Sequence, residues 1–265
     1  MTFKFDPIQR CAAFLILFSA FAFGFNASSQ LTLHLTATLG FSLVLFALYS
    51  TFFPSKHKNV WDTVITALIL FLVLHYGAGV SDLVYPLTAS FIAITLKFFV
   101  EYKSFPIVNP VAAGLLVSAL VLAFVPGLDH PFVSWWGTAF QGYLSLALLA
   151  VWIVGGLYQW RRWHIVVSFL VVFALGLLLR GQGIESVQFA LTNSMVYFYA
   201  TIMLLEPKTS PFRPMEQVAY GAFCAVVMTV LSYYQAPYPE LFALVAANLA
   251  FFGKRVMPKK ATVKA

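Results

Sequence analysis

The stretch Leu96-Lys97-Phe98-Phe99-Val100-Glu101-Tyr102-Lys103-Ser104-Phe105-Pro106-Ile107-Val108-Asn109-Pro110-Val111-Ala112-Ala113-Gly114 decides how this chain is read. It begins inside an apolar run, carries Lys97, Glu101 and Lys103, breaks at Pro106 and restarts at Asn109-Pro110. Asparagine is a good helix N-cap and proline suits the first helical position, so a new helix starts there. Nearly everything on either side is oily. A polar, proline-broken interruption between two apolar helices is where a bilayer protein keeps its chemistry.

Composition points the same way. The chain is 61% hydrophobic and 9% charged, whereas soluble domains carry about 25% charged residues. So little charge cannot cover a water-facing surface, and the surface must face lipid. A spanning helix needs about 20 apolar residues. The 265 residues therefore hold roughly ten spans with short loops. No polar block is long enough for a separate soluble domain, so residues 1–265 are expected to form a single integral membrane domain. The expected fold class is an all-α polytopic membrane protein.

Outward from the opening stretch, apolar runs fall at about residues 11–25, 31–53, 62–76, 83–100, 110–125, 137–157, 164–179, 187–205, 215–233 and 238–253. The first run follows a short basic terminus, as a signal peptide would. A retained helix is expected instead, because a second run follows at once. Ten helices with both termini in the cytoplasm place fifteen of the sixteen Lys and Arg on the cytoplasmic side, leaving only Arg180 outside. That is the asymmetry the positive-inside rule demands. It accounts for the net charge of +7 without a nucleic-acid partner. Trp61, Trp160 and Trp163 then fall at the inner interface, Trp135 and Trp136 at the outer. Five helices per half, an odd number, would make the two halves inverted in the membrane.

A second interruption, Glu206-Pro207-Lys208-Thr209-Ser210-Pro211-Phe212-Arg213-Pro214, lies on the same side as the first. The candidate site is therefore Lys97, Glu101, Asn109, Glu206, Thr209 and Ser210. Each member has two readings. Lys97 either snorkels to the interface and pairs loosely with Glu101 one turn later, or sits in a cofactor or ion site. Asn109-Pro110 is a plain helix start, or a helix N-terminus that receives a phosphate or carboxylate. Glu206 to Ser210 is a proline-stiffened turn or a binding loop. His34 and His75 are read as lone histidines rather than haem ligands, since no second pair accompanies them. Arg180 is expected to pair with Glu185 or Asp129. Cys11 and Cys224 lie in apolar runs, without zinc or iron–sulfur spacing, and read as small buried hydrophobes. The chain has neither a Gly-x-Gly-x-x-Gly fingerprint nor a Walker loop, so nothing in it signals a nicotinamide or ATP site.

These residues resemble a family, the NqrB/RnfD membrane subunits of the sodium-pumping NADH:quinone oxidoreductase and the Rnf electron-transport complex. Asp6-Pro7 followed by Gln9 resembles the family's N-terminal Asp-Pro…Gln. Lys97 and Asn109-Pro110 match its lysine and Asn-Pro at the same separation. Glu206-Pro207-Lys208-Thr209-Ser210-Pro211 is similar to its Asp-Pro-x-Thr-Ser-Pro, with Glu for Asp, and residues 239–248 are similar to its last helix. The resemblance implies the bacterial inner membrane, two inverted five-helix halves like those of urea and ammonium channels, and a redox partner protein. The departures matter as well. Phe98 stands where many members have an acid, the run Glu101 to Phe105 holds no glycine where members have glycines before the Asn-Pro, and the Ser/Asp-Gly-Ala-Thr motif that carries covalent FMN is missing. The resemblance thus implies a short, divergent branch: a membrane subunit of a redox system holding a non-covalent flavin or quinone, not covalent FMN. The rival on the same scaffold is a small-solute or ion transporter or channel. A third reading is an anchor that recruits a soluble reductase to a basic face.

Overall fold

The computed structural model describes residues 6–54, 56, 59–77, 80–125, 132–140, 143–157 and 161–256. Lys4, His57, Lys58, Asp129, His130, Trp160, Lys259, Lys260 and Lys264 lie outside the described residues. The chain is predominantly helical: α1 Pro7–Asn26, α2 Ser29–Phe52, α3 Val60–Val73, α4 Val84–Phe99, α5 Pro110–Leu122, α6 Leu144–Trp152, α7 Trp163–Leu179, α8 Ile184–Thr192, α9 Ser194–Phe198, α10 Pro214–Tyr233 and α11 Pro239–Val256. The helices α1, α2 and α10 are long and apolar enough to cross a membrane, and most of the others are shorter apolar helices. Large apolar side chains such as Leu48, Val151, Val171 and Phe189 are exposed. This is the construction of a polytopic membrane protein.

Helix starts follow local chemistry. The side chains of Ser28, Asn59, Asn109 and Asn193 accept the backbone N–H groups of Leu31, Trp61, Ala112 and Met195 at 2.9–3.1 Å. Each satisfies a donor that an α-helix leaves open in its first turn. Proline opens α1, α5, α10 and α11, where a missing N–H costs nothing.

The structure departs from the sequence expectation in four places. The run 187–205 is not one helix: it breaks at Asn193, and α9 passes into a π turn, Tyr199–Met203. The run 137–157 shortens to α6 with its own π turn, Ile153–Leu157, after a 3-10 turn at Trp136–Thr138. Helix α3 stops at Val73, and Leu74 pairs with Val133 in an antiparallel bridge. The opening stretch contains a two-residue antiparallel hairpin, β1 Glu101–Tyr102 with β2 Phe105–Pro106. Its turn residues Lys103 and Ser104 have φ of 49° and 66°, the paired positive values that match the twist of a tight hairpin. Expected residues 62–76 and 83–100 otherwise correspond to α3 and α4, and 110–125, 164–179, 215–233 and 238–253 to α5, α7, α10 and α11.

Packing repeats along the chain. In the first part α1 packs on α3, α2 on α3 and α4, and α4 on α5. In the second part α6 packs on α9, α7 on α8 and α10, and α10 on α11. With α8 and α9 counted as one broken helix, these contacts run in the same order in both parts, although α3 also packs on α4 and α5 in the first. The parts meet where α5 packs on α11 and α1 touches α6. At one end of the bundle, residues 132–138 form a strap. The Val73 carbonyl accepts the N–H groups of Ser134 and Trp135 at 3.0 and 3.1 Å. Trp135 Nε1 donates to Glu240 Oε1 at 3.0 Å, and Trp136 Nε1 to the Phe71 carbonyl at 2.9 Å.

Gly114 sets the spacing between α4 and α5. A Cβ there would lie 2.7 Å from Ala93 Cβ and 2.9 Å from Ala93 Cα, so the helix backbones themselves are in contact. Overpacking a tight core costs about 1–3 kcal/mol. Gly114→Leu should lower the unfolding midpoint of the detergent-solubilised protein. Gly24→Ala, at a position with open space around it, should leave it nearly unchanged.

Candidate functional site

At the end of the bundle opposite the strap, broken chain from several elements converges. α3 and α5 begin there, α4 ends there, and the chain leaving α9 turns back through residues 206–211. Between them lies a cavity of about 290 Å³, lined on its polar side by Asp62, Thr66, Lys97, Asn109, Glu206 and Lys208. Its apolar wall includes Ile8, Cys11, Ile65, Ile69, Val111 and Ile202.

Lys97 is only 5% exposed, so it does not snorkel to solvent. From the last turn of α4 its Nζ donates to the backbone carbonyl of Asp62 and to Thr66 Oγ1, the latter at 2.8 Å. The Asp62 carboxylate meets Lys208 Nζ at 2.6 Å. Asp62 also stands in the first turn of α3, where the helix dipole favours a negative charge.

Asn109 serves two chain breaks at once. Its Oδ1 caps α5 through the Ala112 N–H at 3.0 Å, while its Nδ2 donates to the Met203 carbonyl at 3.2 Å. Its own N–H goes to Asn248 Oδ1 at 2.6 Å. Asn248 Nδ2 in turn donates to the Thr209 carbonyl at 3.2 Å and to Tyr220 Oη at 2.6 Å. One asparagine on α11 thus ties α5, α10 and the 206–211 turn together.

The turn is built around Glu206. Its carbonyl accepts the N–H groups of Thr209 and Ser210, both at 3.0 Å, and the Ser210 hydroxyl at 2.8 Å. Thr209 Oγ1 donates to Glu206 Oε2 at 3.0 Å. From behind, the buried Arg162 guanidinium donates to the carbonyls of Pro207, Ser210 and Pro211 at 3.1, 2.9 and 3.2 Å, and to Ser210 Oγ. Burial pushes the Glu206 carboxyl above its ordinary value of 4.5, against the downward pull of Lys97, the Thr209 hydroxyl and Lys208.

Of the six residues singled out in the sequence, Lys97, Asn109 and Glu206 line the cavity. Thr209 and Ser210 shape the turn that presents Glu206. Glu101 lies on the hairpin, where it meets Lys56 at 3.4 Å, and does not line the cavity. Sequence reasoning missed Asp62, Thr66, Arg162 and Asn248 and treated Lys208 only as part of the turn. Asp62 had a visible signal, a lone acid at the start of an apolar run. Arg162 was masked by its Trp-rich surroundings, which read as an interface. His34 lies away from the cavity, and its Nε2 donates to the Phe71 carbonyl at 3.2 Å.

Residues 132–251 match the sequence model of the NQR2, RnfD, RnfE family. Over that stretch, a little under half of its length, the chain is similar to this family. A stretch of 108 residues is also similar, at 30% identity, to a subunit of the ion-translocating oxidoreductase complex of Citrobacter koseri. That alignment covers 37% of this chain and 31% of the relative, so the chain spans about a third of that protein. The family match includes the Glu206-to-Pro211 turn and residues 239–248. Asp6-Pro7, Lys97 and Asn109-Pro110 lie before it. Yet Pro7 and Lys97 line the cavity beside Glu206, and Asn109 is bonded to Asn248. All four family-like segments meet at one place.

Asn248→Leu removes the bonds of that side chain to Asn109, Thr209 and Tyr220 and leaves the buried Asn109 N–H without its acceptor. An unmade buried hydrogen bond costs about 1–3 kcal/mol. The variant should show a lower unfolding midpoint and faster proteolysis within residues 206–214, read by mass spectrometry of limited digests.

Proposed function

We propose that this chain is a membrane subunit of an Rnf- or Nqr-type redox system that holds a non-covalent flavin or quinone in the cavity beside Lys97, Asn109 and Glu206. The reading extends to its setting. Residues 1–265 form one integral domain in the bacterial inner membrane, crossing it ten times as two inverted five-helix halves with both termini in the cytoplasm. A soluble or membrane reductase is the partner. The observation that carries the proposal is the convergence of the four family-like segments on a single cavity. The repeated packing pattern and the one-sided distribution of basic residues support the topology.

The cavity's chemistry fits a compact ring with polar edges. At about 290 Å³ it sits at the low end of ligand pockets, which run from about 300 Å³ upward. Aliphatic side chains would cover the ring faces. Lys97, Thr66 and Asn109 line its polar edge, and Lys208, partly exposed, stands at the rim. Such a ring, when bound, supplies the electron-carrying chemistry. The residues of this chain bind it, orient it and hold charge and protons beside it.

The protein purified in mild detergent should carry a flavin or quinone, identified by absorbance and by mass spectrometry after organic extraction. Lys97→Met should reduce its occupancy at least about tenfold, equivalent to about 1.4 kcal/mol. A wild-type preparation containing neither compound and binding neither on addition would sink the cofactor reading. Reporter fusions after Gly253 and after Arg180 should report the cytoplasm and the opposite side, respectively.

A further inference from the structure

The cavity's polar groups divide into those already committed and one that is not. The Asn109 amide is spent on two backbone groups, and the Asp62 carboxylate is held by Lys208. Lys97 donates to Asp62 and Thr66. Arg162 lies behind the turn on its carbonyls. Glu206 differs: Thr209 holds its Oε2, and among the described residues no hydrogen bond falls on Oε1. Structural needs of the turn use the Glu206 backbone carbonyl, not its carboxyl. The acid therefore lines the cavity with one oxygen available to an occupant.

We propose that Glu206 is the proton donor of the cavity, passing its carboxyl proton to the edge of the bound ring when that ring accepts an electron from a reduced flavin or iron–sulfur partner protein. This rests on the reading of the cavity as a redox-ligand site. The carboxyl O–H bond breaks, an O–H or N–H bond forms on the ring, the electron comes from the partner, and Glu206 is left as a carboxylate. Protonation from the aqueous side restores it.

The surroundings suit both forms of the acid. Facing it are Lys97 from α4, Asp62 from α3, Cys11 from α1 and Asn109 from α5, with Lys208 and Thr209 on its own turn. Burial and Asp62 favour the protonated acid, and the net direction is upward. Once the proton has left, the Lys97 ammonium and the Thr209 hydroxyl steady the carboxylate.

The test uses the full chain in lipid nanodiscs, with riboflavin and menadione as probes. Infrared spectra should show a protonated-carboxyl band that persists above the ordinary carboxylate range and is missing in Glu206→Gln. With a probe bound, wild type should take up protons on reduction. At probe concentrations that saturate each protein, Glu206→Gln should lose most of the pH dependence of the probe's reduction. Glu206→Asp should restore it. If Glu206→Gln keeps the infrared band or keeps full proton uptake, the donor role is wrong although the ligand site stands. If neither probe binds wild type, the ligand reading fails and the donor role falls with it, whatever the infrared band shows about where the proton sits.

Discussion

Interrupting a helix inside a lipid-facing protein frees backbone N–H and C=O groups that bilayer lipid cannot satisfy. This structure interrupts several helices at one end, and the side chains there answer that constraint first. Asn109 caps α5 and takes up the loose Met203 carbonyl; Asn248 accepts the Asn109 N–H and donates to the Thr209 carbonyl. Arg162 gathers three carbonyls of the 206–211 turn. Even Lys97 gives one of its hydrogen bonds to a backbone carbonyl in the first turn of α3. Polar residues in an oily chain are therefore not in themselves signs of chemistry. They are what a broken backbone requires before a cavity can exist.

That requirement also explains why charge is retained where so little is used elsewhere. Removing one member of a buried ion pair costs about 3–5 kcal/mol, because the other is stranded. The Asp62–Lys208 pair is only partly of this kind, since the Lys208 side chain is 39% exposed, and its worth is correspondingly smaller. Lys97 is the deeper charge, and it is held by neutral oxygens of Asp62 and Thr66. Two lysines and two acids around one space leave its net charge dependent on whether Glu206 carries a proton. The electrostatics of the cavity thus turn on a single carboxyl.

The legibility of the sequence followed from how local each signal was. Asn109-Pro110 announced a helix start through two adjacent residues, and α5 begins there. Long apolar runs announced α1, α2 and α10. The break at Asn193 had a fainter announcement: Thr192-Asn193-Ser194 is polar and Asn193 caps α9, but apolar residues on both sides let the run 187–205 read as one helix. The hairpin at residues 101–106 was similarly hidden, because Lys103 and Ser104 adopt positive φ without glycine. Within the site, the residues on breaks were readable, while Asn248 and Arg162 were not. Both act across more than 40 residues of chain, and a local pattern carries no trace of such a partner.

The two ends of the bundle show what a break becomes when chain fills it and when chain does not. On the proposed inverted relation between the halves, the start of α5 corresponds to the start of α11, and the end of α9 to the end of α3. At the first end, Asn109 bonds directly to the Met203 carbonyl and a cavity remains beside them. At the other, residues 132–138 run between Val73 and Glu240 and bond to both, through backbone N–H groups and the Trp135 indole. The strap satisfies loose carbonyls of α3 with its own N–H groups and the Trp136 indole, while the Trp135 indole donates to the Glu240 carboxylate. Among the described residues, the lysines and acids of the candidate site gather around the cavity at the end the strap does not reach, where side chains take up the backbone's hydrogen bonds.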